Sequence, residues 1–99
     1  MFHLAQSLGM AGDYKSAAFL VAGAKDAVPP ANADLDWNTY LDGTWAFFRR
    51  DRPALAAARD KPAVATGHGN QLNGAALTGL MTCFDKPYWI AYDKGCRSK

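Results

Sequence analysis

The sequence contains no glutamate; all nine of its acidic residues are aspartate. Asp is a poor mid-helix residue and a good N-cap, so in a helical chain these positions punctuate helices rather than fill them. Long apolar runs are missing too. The longest strongly apolar stretch, Ala17 to Ala24, falls well short of the ~20 residues a membrane-spanning helix needs, so no membrane insertion is expected. The opening Met-Phe-His-Leu-Ala-Gln lacks the charged-then-apolar layout of a secretion signal. No segment shows the apolar–polar alternation of a half-buried strand. Net charge is only +2, which argues against a dedicated nucleic-acid binder.

What is present is apolar and small. Apolar residues make up 49% of the 99 residues, enough for one globular domain with a modest core. Alanine, the best helix former, is the commonest residue. The chain therefore reads as a single all-α domain over residues 1–99.

Local signals divide it into about six helices in three antiparallel hairpins, spanning roughly 1–28, 36–61 and 70–93. The first helix runs from Phe2 to Ala11, with Leu4 and Leu8 one turn apart and Ala5, Gly9 and Gly12 on the adjoining stripe, where small residues admit a close neighbour. Gly12-Asp13 is the break: Gly12 suits a left-handed position and Asp13 can cap the next helix. That helix, Tyr14 to about Ala27, carries Ala17, Val21 and Ala24 at helical spacing with Phe19 and Leu20 beside them, and Pro29-Pro30 ends it. A third helix, capped by Asp34 or Asp36, runs from Trp37 to about Arg50. Asp51-Arg52-Pro53 opens the fourth, with Asp51 as N-cap and Pro53 in the first turn, and Pro62 closes it. Thr66-Gly67-His68-Gly69-Asn70 reads as a loop, with Asn70 capping a fifth helix from Gln71 to Phe84 whose buried face holds Leu72, Ala76, Leu80 and Cys83 or Phe84. Asp85-Lys86-Pro87 repeats the Asp51-Arg52-Pro53 design ahead of a sixth helix, Pro87 to Asp93, which pairs Tyr88 with Tyr92. The tail from Lys94 reads as frayed apart from Cys96.

These residues resemble the tetratricopeptide repeat. Met1, Leu4, Ala5 and Leu8 match its first helix, Gly12-Asp13-Tyr14 its turn, Ala17, Val21 and Ala24 its second helix, and Pro29 its closing proline. Residues 1–29 carry most of the likeness; the second hairpin keeps Gly43, Ala46 and the turn, and has Leu55 where a small crossing residue is usual. The stretches Trp37–Leu55 and Cys83–Tyr88 also resemble small bacterial proteins of this helical type. The resemblance implies a right-handed superhelical stack of hairpins that binds protein or peptide. Because such arrays generally stack three or more capped units, the abrupt start at Met1 points to a piece of a longer array or to completion by a second copy.

No catalytic motif or cofactor signature is present. Gly67-His68-Gly69 lacks the following Lys-Ser/Thr of a phosphate loop. His3, His68, Cys83 and Cys96 lie on separate elements without metal-ligand spacing, so no metal site is expected. Cys83 and Cys96 form either a disulfide in an exported (periplasmic) protein, or a buried thiol and an unrelated exposed one in a cytoplasmic protein. The aromatics Trp37, Tyr40, Trp45 and Phe48 stand at helical spacing, which fits a core face, yet five aromatics on one helix are more than a single face can hide. With Arg49 and Arg52 beside them they form the candidate binding surface, residue types enriched in protein interfaces. The expectation is a non-enzymatic interaction or scaffold module, with a protein, a peptide or a second copy as partner. The alternative is a small-ligand-binding or accessory subunit of an enzyme, its aromatics lining a pocket. Arg49 to Arg52 leave a third reading, a weak contact with an anionic partner.

Overall fold

The computed structural model describes residues 2–24, 37–60 and 68–97, without the side chains of 2, 37, 38 and 68–71. Among them the chain is all-α, with α1 (Phe2–Met10), α2 (Tyr14–Ala24), α3 (Trp37–Phe48), α4 (Arg52–Arg59), α5 (His68–Thr82), α6 (Tyr88–Ala91) and α7 (Lys94–Arg97). No strand occurs in the described residues, and no helix there is long and apolar enough to cross a membrane. The expected caps Asp34 and Asp36 and the prolines at 29, 30 and 62 lie outside the described residues.

The first two hairpin turns are built identically from different residues. After α1, the Gly12 N–H donates to the Gly9 carbonyl (3.0 Å) and the Asp13 N–H to that of Leu8 (2.9 Å), with Gly12 at φ +89°. After α3, Arg50 donates to Phe47 (3.0 Å) and Asp51 to Ala46 (2.9 Å), with Arg50 at φ +60°. Both are Schellman closures, which satisfy carbonyls a helix end would leave orphaned. In each, the Asp that follows caps the next helix: Asp13 Oδ1 accepts from the Ser16 N–H (3.2 Å) and Asp51 Oδ1 from the Ala54 N–H (3.1 Å). Pro53 sits in the first turn of α4, as expected. These three-residue links fold α1 onto α2 and α3 onto α4.

The third connection departs from this plan. Asp85 lies in a turn, and Pro87, not Asp85, is the N-cap of α6, without a side-chain cap bond. Two other boundaries also differ from the expected ones. His68, Gly69 and Asn70 belong to the first turn of α5 rather than to a loop; a glycine there costs only about 1 kcal/mol, which the packing of α5 on α3 and α4 offsets. Beyond α6, Lys94–Arg97 is helical rather than frayed, because Cys96 is covalently tied to Cys83.

Small residues bring the elements together. A Cβ added at Gly9 would stand 2.5 Å from two atoms of the Phe48 ring, and one at Gly43 2.4 Å from the nearest Leu77 methyl. Ala5 and Ala17 are fully buried alongside. Around them lies an aromatic core. Phe47 sits edge-on to Tyr14 (5.8 Å) and Phe84 (5.6 Å), while Phe48 packs on Tyr88 at 4.7 Å, geometries that match ring edges to ring faces. Tyr88 closes the molecule: α6 rests on α1, the Tyr88 backbone N–H donates to the Tyr14 hydroxyl (2.7 Å), and Gln6 donates to the Tyr88 hydroxyl (3.3 Å). α1 and α6 are thus in direct contact, whereas a linear repeat array joins only successive units. Outside the core, Leu72, expected on a buried face, stands exposed, as do Leu4, Phe19 (78%) and Trp89 (59%).

Candidate interaction site

The candidate surface residues separate into two groups. Tyr40 and Phe48 are each only 3% exposed, which corrects their expected place on the surface. The reason is that α3 packs against α2, α4 and α5 at once, so more of its circumference is covered than a one-sided amphipathic helix would bury. Trp37 opens α3, and its side chain is outside the described set.

Trp45, half-buried on α3, and Arg49, exposed just past its end, lie one turn apart. The Arg49 guanidinium lies 3.9 Å from the centre of the Trp45 ring, a cation–π contact that fixes both side chains, and Arg49 Nη1 is 3.6 Å from Asp51. Together with Asp42 they border a hollow of about 250 Å³ between α3 and α4, floored by Ala54, Ala57 and Ala58. Asp42 and Trp45 on α3, and Arg49 in the turn that follows, keep helical spacing along one stripe, a signal present in the sequence. The alanine floor was missed, since nothing in a run of alanines distinguishes a groove from ordinary helix.

The remaining arginines are committed to the fold. Arg50 donates to the Phe47 carbonyl (3.3 Å) and to that of Phe84, and stacks on the Phe84 ring at 4.0 Å. Arg52 is exposed, with its guanidinium 5.6 Å from the Phe84 ring centre. With Arg49 on Trp45 and Asp51, the cluster is spread over intramolecular partners.

A second polar group gathers around Tyr92, where side chains of α3, α6 and α7 converge. The Tyr40 hydroxyl donates to that of Tyr92 (3.2 Å), Tyr92 stacks on Tyr88 at 5.3 Å, and Arg97 lies 4.6 Å over Tyr92 while donating to its carbonyl (2.9 Å). Burial pushes the Tyr40 phenol above the ordinary tyrosine range, helped by its bond to Tyr92. Tyr88 is raised by burial too, against an opposing bond from Gln6. For Tyr92, burial acts upward, but bonds from Tyr40, Gln6 and Arg97 outweigh it and hold the phenol low. The sequence foretold only the pairing of Tyr88 with Tyr92; Gln6, Tyr40 and Arg97 are distant in the chain and carry no local cue.

Cys83 and Cys96 are joined as a disulfide with their Cα atoms 6.0 Å apart, the bridged one of the two cysteine states the sequence allows. Among the described residues no three His, Cys, Asp or Glu side chains are grouped to hold a metal. No protein-family model matches the chain, and no curated protein or solved structure matches it either. A second hollow, of about 530 Å³, lies on α2 against Lys15, Ser16, Phe19 and Leu20; the hollow beside Trp45 is the one that brings together candidate binding residues of the sequence, Trp45 and Arg49.

Proposed function

We propose that the chain is a non-enzymatic interaction module that receives a side chain of a protein or peptide partner in the hollow between α3 and α4. The observation that carries this reading is the Trp45–Arg49 stack over the alanine floor. A rigid aromatic wall with a paired guanidinium loses little side-chain freedom on binding, the economy that makes Trp and Arg frequent hot spots. Size favours a side chain over a free ligand. The hollow's 250 Å³ lies below the roughly 300–1,000 Å³ of small-molecule pockets.

The test is selection of peptides from a random displayed library on the immobilised, oxidised protein. Selected peptides should bind Ala57→Arg at least about tenfold more weakly, because the new side chain fills the hollow, and bind Trp89→Ala unchanged. Peptides indifferent to Ala57→Arg, or no enrichment at all, would overturn the reading. Selection of sequences from this chain itself would identify a second copy as the partner.

A further inference from the structure

The last helical turn has an unusual mode of attachment. A four-residue helix has no stability of its own, since nucleation costs more than one turn returns, and three contacts hold α7 to α5 and to the end of α6. Its backbone lies against Gly79, where an added Cβ would meet Arg97 Cγ at 3.0 Å and Arg97 N at 3.3 Å. Arg97 bonds and stacks on Tyr92, although its Nε is buried with no hydrogen-bond partner. The third tie is the Cys83–Cys96 disulfide.

The two sulfurs differ in access. Cys96 is 6% exposed, whereas Cys83, at the end of α5, is only half-buried. Thiol–disulfide exchange proceeds by attack of a thiolate on one sulfur with departure of the other, and access decides which is attacked. Lys86, Lys94 and Arg97 lie beside the bridge in sequence, against Asp85 and Asp93, a local excess of one positive charge that favours an approaching thiolate and a leaving one.

We infer that the bridge is a redox latch: an external low-molecular-weight thiol attacks Cys83, displaces the Cys96 thiolate, and frees α7 from the Gly79 face of α5. The first thiolate forms a mixed disulfide on Cys83 as Cys96 departs with the bonding electron pair and takes up a proton. A second thiolate then attacks the small-molecule sulfur of that adduct, releasing Cys83, which is protonated in turn. The protein disulfide is reduced to two thiols, and two external thiols are oxidised to one disulfide. Reduction thereby lifts Arg97 from Tyr92 while α1 to α4, which make no bond through the bridge, stay folded. This inference is independent of the hollow beside Trp45.

Two measurements on the intact chain test it. Oxidised protein is exposed briefly to reduced glutathione, quenched by alkylation and mapped by mass spectrometry. The glutathione adduct should sit on Cys83 at least about tenfold more often than on Cys96, and equal labelling or an excess on Cys96 would refute the assigned order of attack. Hydrogen exchange is then compared between oxidised protein, glutathione-reduced protein and Cys83→Ser/Cys96→Ser. Amides at 94–97 should exchange at least about tenfold faster in the latter two, with α1–α4 unchanged. Unchanged exchange at 94–97 would show that the bridge holds nothing in place, and loss of protection throughout would make it a global clamp; either result overturns the latch.

Discussion

Arg50 and Phe84 are joined twice: the guanidinium donates to the Phe84 carbonyl and lies 4.0 Å from the centre of the Phe84 ring. The same side chain donates to Phe47 at 3.3 Å, so one residue ties the α3–α4 turn to the end of α5. It does so from a left-handed backbone, φ +60°, at the position where the first hairpin uses Gly12. A non-glycine residue there costs about 1 kcal/mol or more, and the bonds the side chain makes offset that cost.

Replacing Arg50 separates the two effects. Arg50→Ala keeps the strained backbone and loses the bonds to Phe47 and Phe84, so a loss of about 2–3 kcal/mol is expected from hydrogen bonds of a charged donor. Arg50→Gly loses the same bonds but relaxes the turn, and should be about 1 kcal/mol less damaging. Urea denaturation of both variants measures the difference. Equal losses would mean that the left-handed backbone stores no strain.

The aspartates allow a comparison within one molecule. Asp13 and Asp51 each accept a backbone N–H at the start of a helix, so either Ala substitution should cost about 1 kcal/mol. Asp85 does not cap α6, whose N-cap is Pro87 without a side-chain bond, and Asp85→Ala should shift the urea midpoint very little. A loss at Asp85 as large as that at Asp51 would contradict the cap assignment.

These contrasts show where the sequence is informative. Gly12, Asp13, Asp51 and Pro53 act on their own neighbours within three or four residues, so turn and cap chemistry read from the sequence carries over to the fold. Arg50 breaks the local rule that reserves positive φ for Gly or Asn, and its compensation comes from Phe84, far along the chain. The helix α7 is equally illegible, because a disulfide across α6 creates it rather than any propensity of Lys94–Arg97. Tyr40 and Phe48 were read as surface on the assumption that one helix has one buried face, and contacts with three neighbours cancel that assumption.

Gly9 and Gly23 make a paired test of close packing. At Gly9 an added methyl falls 2.5 Å from the Phe48 ring and 3.0 Å from Tyr88, and neither ring has room to retreat from the aromatic core. Gly9→Ala should lose about 1–3 kcal/mol as overpacking does, and separate α1 from α6. At Gly23 nothing lies within 4 Å, so Gly23→Ala should gain about 0.5–1 kcal/mol through helix propensity. Thermal melts of the two variants should move in opposite directions, and a stabilised Gly9→Ala would show that α1 does not seat against Phe48.

The tyrosine seam makes stability fall at high pH. Tyr40 and Tyr88 have phenols raised by burial, so above about pH 10 the unfolded chain ionises while the folded state keeps both protons. The folded state then binds more protons, and stability declines as pH rises from the ordinary tyrosine value towards those raised ones. Tyr92, held low, contributes in the opposite sense: its stabilisation is present above the ordinary value and is lost as pH falls through its lowered one. With two groups against one, the net slope above pH 10 is downward. Absorbance at 295 nm should show Tyr92 ionising first in the folded protein, with Tyr40 and Tyr88 following only as it unfolds. Tyr40→Phe removes the hydroxyl that donates to Tyr92 at 3.2 Å and should move the first ionisation to higher pH. A single step for every tyrosine near pH 10, unchanged by Tyr40→Phe, would show that these hydroxyls are not coupled in the folded protein.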